Sequence, residues 1–244
     1  MRLPLSKPNL AAALAIEWDL LTSAQEATRH HLIPLTSLIC RAIDIQADDA
    51  DPVKGQPTIR EKVTTMLLQY LDTDSLLCWV PPAGPYDLRN DAGESLRDVQ
   101  KKTAEEVCSF LTTNVWPGIR IDPVLDGHGI TPRAQGEGVR EVIQGWISGL
   151  DAWELAGLER GVLAGKSLIS AARLVAEWSE GAAMTGALSE KSYGAHDAAV
   201  ATSLEVDWQA GQWGEVEDTY DVNREDVRRQ LGSVVLLVSG TGKP

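Results

Sequence analysis

The sequence predicts a mainly α protein: an irregular, orthogonal bundle of about seven helices with a few short extended segments and a C-terminal strand. Three observations point there. Apolar residues recur at three- and four-residue intervals through most of the 244 residues. The segments so marked are bounded by Ser, Asn, Pro and Gly, the usual helix stops and starts. Runs of β-type character are few and short.

The first helix can be capped by Ser6 or Asn9, with Pro8 in its first turn, and Leu10, Ala13, Leu14, Glu17, Trp18 and Leu21 follow helical spacing. Glu17 interrupts that apolar stripe. A partner such as an Arg or a set of backbone amides is its expected explanation, a functional carboxylate the sharper one. A second helix starts near Pro34 and buries Leu35, Leu38, Ile39, Ala42 and Ile45. Residues 48–57 form a polar loop, and a third helix places Ile59, Val63, Met66, Leu67 and Tyr70 in register. Leu76 to Val80 is a strand or an extended core segment, which periodicity alone does not decide. The Pro- and Gly-rich stretch 81–95 is a long loop, and both 48–57 and 81–95 read as insertions.

A fourth helix runs from about Leu96 to Thr113 and is stopped by Trp116-Pro117-Gly118. Three helical blocks follow a turn-rich stretch: Val139 to Leu163, broken or bent near Leu150-Asp151; Lys166 to Ser179; and Ser189 to Trp213. Their Gly, Ala and Ser content implies close helix–helix approach. The run Gly232-Ser233-Val234-Val235-Leu236-Leu237-Val238-Ser239-Gly240 then reads as a strand, which must pair with another segment, with a missing domain or with a partner. On this reading residues 1–231 are one helical domain, 232–240 a strand-like segment and 241–244 a flexible tail.

Apolar content of 43% and charged content of 23% suit a globular chain, and no apolar run reaches the length of a membrane helix. The net charge of −13 argues against nucleic acid as partner, because phosphate affinity needs Lys and Arg. Cys40, Cys78 and Cys108 lack metal or disulfide spacing and read as small core residues. The four His show no metal pattern, so no cofactor and no metal is expected. Arg160 to Ser167 nearly matches a phosphate-binding G-x-x-x-x-G-K-S loop, with Arg160 in place of the first glycine. The residues before it read as helix, where free amides are lacking, so it is a decoy.

The most distinctive segment is Leu204 to Asp218. It holds two Trp and five carboxylates, and no Lys or Arg occurs from Leu204 to Asp221. On a helix Glu205, Gln209 and Trp213 form one row, with Trp208 beside it and Gly214 as a stop. Carboxylate, amide and indole in one row make a poor core and a plausible recognition surface. Glu205 and Asp207 point apart on a helix, so an acid–base pair is not expected.

Several ordered motifs now assemble: Leu14-Ala15-Ile16-Glu17-Trp18-Asp19; Pro34-Leu35-Thr36-Ser37-Leu38 with Arg41-Ala42-Ile43-Asp44; Tyr70 with Thr73-Asp74-Ser75-Leu76-Leu77-Cys78; Gly129-Ile130-Thr131-Pro132; and Ser203-Leu204-Glu205 with Trp208-Gln209 and Trp213-Gly214. Together they resemble the mitochondrial assembly chaperones that handle the α subunit of the F-type ATP synthase catalytic head, in particular the fungal members. The resemblance implies binding rather than reaction, in the mitochondrial matrix, with the unassembled α subunit as protein partner and room for a small helper protein. It implies client contact through Glu205, Trp208, Gln209, Trp213, Glu215 and Glu217, with Glu205 at the essential acidic position. It assigns Glu17, Trp18, Asp19, Pro34, Thr36, Asp44 and Asp74 to motifs serving folding or binding. It further implies that the family's N-terminal β-rich domain is absent, the chain beginning almost at the first helical motif. The family's Trp-Asp-Pro signature is not reproduced by Trp116-Pro117 and Asp122-Pro123. The alternatives are a stable structural subunit of a mitochondrial complex and an enzyme with an unrecognised carboxylate site.

Overall fold

The computed structural model describes residues 3–29, 31–129, 131–181, 183, 192–213 and 220–239, with the backbone alone for 212, 213 and 220–222. Nine α-helices and two short 3-10 turns stand among the described residues, and no strand does. The helices exceed the seven expected because the break at Leu150-Asp151 is complete and the C-terminal run is helical.

Helix α1 (Pro8–Asp19) starts with Pro8 in its first turn, behind Lys7 and without a side-chain cap from Ser6 or Asn9. Helix α2 (Pro34–Ala50) begins at Pro34 and runs past Asp48, so the following loop is shorter than expected. Helices α3 (Ile59–Tyr70) and α4 (Leu96–Asn114) each open with a capping box, Thr58 with Glu61 and Ser95 with Asp98. In such a box the cap side chain and the N3 carboxylate each satisfy an orphan amide. Between them a 3-10 turn (Ser75–Leu77) leads into extended backbone at Cys78, which makes an isolated parallel bridge with Leu125. Of the stretch from Leu76 to Val80, Leu76 and Leu77 are therefore in the 3-10 turn, and the extended backbone expected there begins at Cys78.

Helices α5 (Val139–Gly149) and α6 (Ala152–Gly165) are separated by Leu150 and by Asp151, which caps α6 with Glu154. Helix α7 (Leu168–Trp178) follows at once, capped by Ser167. The near-match to a phosphate loop therefore lies in the last turns of α6. Lys166 is its left-handed C-cap at φ 55°, and no loop of free amides exists there. Helices α8 (Ala195–Trp213) and α9 (Tyr220–Val238) complete the chain.

Helix α6 runs through the middle, packed on α2, α7 and α9, and most of its side chains are buried. Its glycines set the spacing. A Cβ on Gly157 would lie 3.1 Å from Val238 Cγ1, and one on Gly161 3.1 Å from Ala171 Cβ. Both distances are tight, so α9 and α7 approach as closely as they do because no side chain stands between.

The expected strand from Gly232 to Gly240 is corrected here: through Val238 it is the second half of α9. Leu231, Val234, Leu237 and Val238 are buried, while Leu236 is 40% exposed. That is helical burial, set by the contact with Gly157, and it overrides the β-propensity of the valines. A second correction concerns α1. Of its stripe only Leu10 is buried, and Trp18 is 49% exposed. A third concerns Cys40, which is exposed, whereas Cys78 and Cys108 are part-buried and pack against the core. Indole does fill the core in places: Trp116 is fully buried and meets Trp146 edge-on at 5.3 Å.

Candidate partner-binding surface

Helix α8 buries Ala198, Ala199 and Ala201 and turns its acidic side outward. Glu205 and Gln209 are exposed, one turn apart as the spacing requires, and Gln209 Nε2 donates to Glu205 Oε1 at 3.3 Å. Beside them Val206 is exposed and Trp208 half-buried. Asp207 faces the other way and pairs with Arg224 of α9 at 2.8 Å. The opposed directions of Glu205 and Asp207 are those a helix imposes. A cavity of ≈ 230 Å³ lies against this helix, bounded by Ser75, Leu76, Cys78, Gln100, Leu204 and Glu205. The Trp213 side chain, Gly214, Glu215, Glu217 and Asp218 lie outside the described residues. So the structure brings Glu205, Gln209 and Trp208 to one stretch of surface.

The motif residues separate into three groups. Glu17 sits at the N-terminus of α2. Its Oε1 accepts from Leu35 N at 2.7 Å, and its Oε2 accepts from Thr36 N at 2.8 Å and Thr36 Oγ1 at 2.6 Å. Trp18 Nε1 donates to Thr36 Oγ1 at 2.8 Å. Pro34, with no N–H of its own, occupies the first turn above this cluster. Glu17, Trp18, Pro34 and Thr36 are therefore one hydrogen-bonded joint between α1 and α2. The carboxylate is answered by orphan amides at a positive helix end.

Asp74 is the second group. It is fully buried, with Oδ1 accepting from Leu76 N at 3.0 Å and Ser167 Oγ at 2.6 Å, and Oδ2 from Ile169 N at 2.9 Å. It ties the 3-10 turn to the start of α7. Burial raises its pKa to about 6, with these donors opposing the rise. Nearby, burial together with the Asp74 charge pushes the Cys108 thiol up to about 12, so it is no nucleophile. The third group, Asp19 and Asp44, is exposed. Asp44 lies near Arg41, which itself grips Glu159 of α6 through two bonds of 2.6 and 2.7 Å.

Two further charged residues escape a reading of spacing alone. Arg173 is buried in α7, paired with Glu177 one turn on, its guanidinium 3.4 Å from the Phe110 ring centroid and 5.1 Å from that of Tyr193. An Arg and a Glu four apart inside an apolar run were the signal available. Lys7 is also buried. Its Nζ donates to Leu237 O at 2.9 Å and lies 5.3 Å from the Trp153 ring centroid. Burial lowers its pKa, and the charges of Asp151, Glu180 and Glu154 oppose that. Among the described residues no group of His, Cys, Asp and Glu could hold a metal, and no helix is long and apolar enough to cross a membrane.

A model of the ATP12 chaperone protein family matches residues 1–112. The chain is 30% identical over 247 residues to the mitochondrial protein atp12 of Schizosaccharomyces pombe, a match covering 97% of this chain and 70% of that one. It is 32% identical over 240 residues to the mitochondrial protein ATP12 of Saccharomyces cerevisiae, covering 95% and 71%. Its fold is similar to that in the crystal structure of Atp12 from Paracoccus denitrificans, with a TM-score of 0.66 over 99% of this chain and 85% of that one at 21% identity. On the strength of the two fungal relatives and the family match, this chain belongs to the ATP12 chaperone protein family.

Proposed function

We propose that this chain is an assembly chaperone for the catalytic head of the mitochondrial F-type ATP synthase, holding the unassembled α subunit in the matrix until it joins β. It acts by binding and carries out no reaction. The observation that carries this reading is family membership, shared with relatives that are mitochondrial by name. An unassembled subunit exposes an apolar interface that associates wrongly if left uncovered. A shield for such a surface has to let go, which favours contacts that are moderate and partly polar.

The α8 face suits that task. Among the described residues Glu205 meets only the Gln209 amide, so its charge is available to a partner. The client-contact set on this reading is Glu205, Trp208 and Gln209, continued by Trp213, Glu215 and Glu217. The test is protection of purified α subunit from aggregation, with Glu205→Lys against the unmutated chain. Because Glu205 is exposed, the variant should fold normally and lose protection. Equal protection would remove α8 from the client site.

A further inference from the structure

Helix α1 is mostly apolar, with Asn9 near its start and Glu17 and Asp19 near its end, and it is largely uncovered. Its last turns present Ile16 and Leu20, 60% and 74% exposed. These line a groove of ≈ 710 Å³ whose far wall is α9, where Leu236 is 40% exposed. Leu32 and Leu35 lie at its base, and the chain between α1 and α2 closes one end. A helix this apolar normally lies under another layer, and here that layer is missing on one side.

The charged residues that line the groove have partners within the protein. Glu17 is held by Leu35 and Thr36, as described above. Glu26 accepts from Thr22 N at 2.6 Å, and Arg229 donates to His31 O at 2.9 Å. The rest of the lining is chiefly hydrocarbon. The partners of the charged residues are neutral, so Glu17 and Glu26 keep a negative charge and Arg229 a positive one; a basic flank can meet a carboxylate, while a charge set against the hydrocarbon would lose water. The walls also select a shape. Both are α-helices, whose main-chain groups are bonded within the helix. They offer no edge to an extended peptide, whose own N–H and C=O groups would go unpaired. A helix satisfies its main chain internally and brings side chains alone.

Charge also separates one occupant from another. The chain carries −13 overall, and Asp19 stands exposed at the end of α1. Two copies meeting here would bring like charges together, whereas a neutral or basic partner would not. The joint of Glu17, Trp18 and Thr36 holds α1 on α2, so the groove is formed before anything binds.

We infer that the groove between α1 and α9 receives the apolar face of an amphipathic helix of the client, with neutral or basic flanks. This rests on the chaperone reading and adds a second contact to the α8 face. About three apolar side chains at i, i+3 or i+4, and i+7 make up the inserted face.

The test uses the full chain with free α subunit. A benzophenone amino acid placed at Leu20 is expected to crosslink to a helical segment of the client. Ile16→Asp and Leu20→Asp are expected to weaken client binding at least tenfold while leaving circular dichroism and the melting temperature unchanged, both positions being exposed. Val53→Asp, at another exposed apolar position, is expected to bind as the unmutated chain does. The inference is overturned if both groove variants bind the client within twofold of the unmutated chain. It is equally overturned if Leu20 crosslinks to a second copy and sedimentation shows a dimer that Leu20→Asp dissociates. Should the unmutated chain leave the α subunit to aggregate, the chaperone reading falls and takes the groove with it. Protection by the unmutated chain and both variants alike removes the groove alone.

Discussion

Asp74 offers a direct test of how this fold handles a buried charge. Its carboxyl is enclosed, accepts three hydrogen bonds, and titrates near 6 in place of 3.8. The rise means that the folded state holds its proton more tightly than the unfolded state. The associated stability is complete below pH 3.8, falls as pH rises through 6, and is gone above that. The full swing of 2.2 units, 6 less 3.8, corresponds to about 3 kcal/mol. Between pH 7 and pH 5 the linkage relation gives about 1.3 kcal/mol. The perturbation is Asp74→Asn, which removes the titration and leaves the volume. Denaturant unfolding at pH 5 and pH 7, followed by Trp fluorescence, yields the stability of each chain. The unmutated protein should gain about 1.3 kcal/mol on Asp74→Asn as pH falls from 7 to 5. A difference between the two chains that stays the same at both values would refute the argument. It would mean that the hydrogen-bond donors offset desolvation and keep the carboxyl near its ordinary range.

Glu17→Ala leaves two amides and a hydroxyl without their acceptor and should cost about 2 kcal/mol, measured by denaturant melts. A double-mutant cycle with Thr36→Val should show strong coupling, because both residues belong to one joint. Arg173→Ala strands the buried Glu177 and should cost about 3–5 kcal/mol in thermal unfolding. Pairing it with Glu177→Gln should restore part of that loss by removing the unanswered charge.

Where the sequence carried a local geometric rule, the structure could be read from it. Pro34 marks the first turn of α2, and Asp151 with Glu154 marks the break before α6. The alignment of Glu205 with Gln209 follows from helical pitch alone. Of the partners expected for Glu17, an Arg or a set of backbone amides, the bonds to Leu35 and Thr36 are the second.

Other features depended on neighbours far along the chain. The apolar run at the C-terminal end reads as a strand because it is rich in Val and bounded by turn residues. It is helical where it packs on α6, and the notch at Gly157, more than seventy residues earlier, receives Val234 and Val238. The stripe on α1 reads as core because its residues are apolar. Whether anything covers Ile16 and Leu20 is a fact about α9 and cannot be inferred from α1. For the same reason Arg173 is hard to place: its rings come from Phe110 and Tyr193, on either side of it in sequence.

The hydrogen bond from Lys7 to Leu237 joins the residue before α1 to the last turn of α9, and α9 lies directly on α6. Folding therefore cannot finish as the polypeptide emerges. The central helix must wait, with one flank bare, until α9 is delivered. A version ending before α9 would keep that flank open for good. It would leave the apolar side of α6 free to associate wrongly.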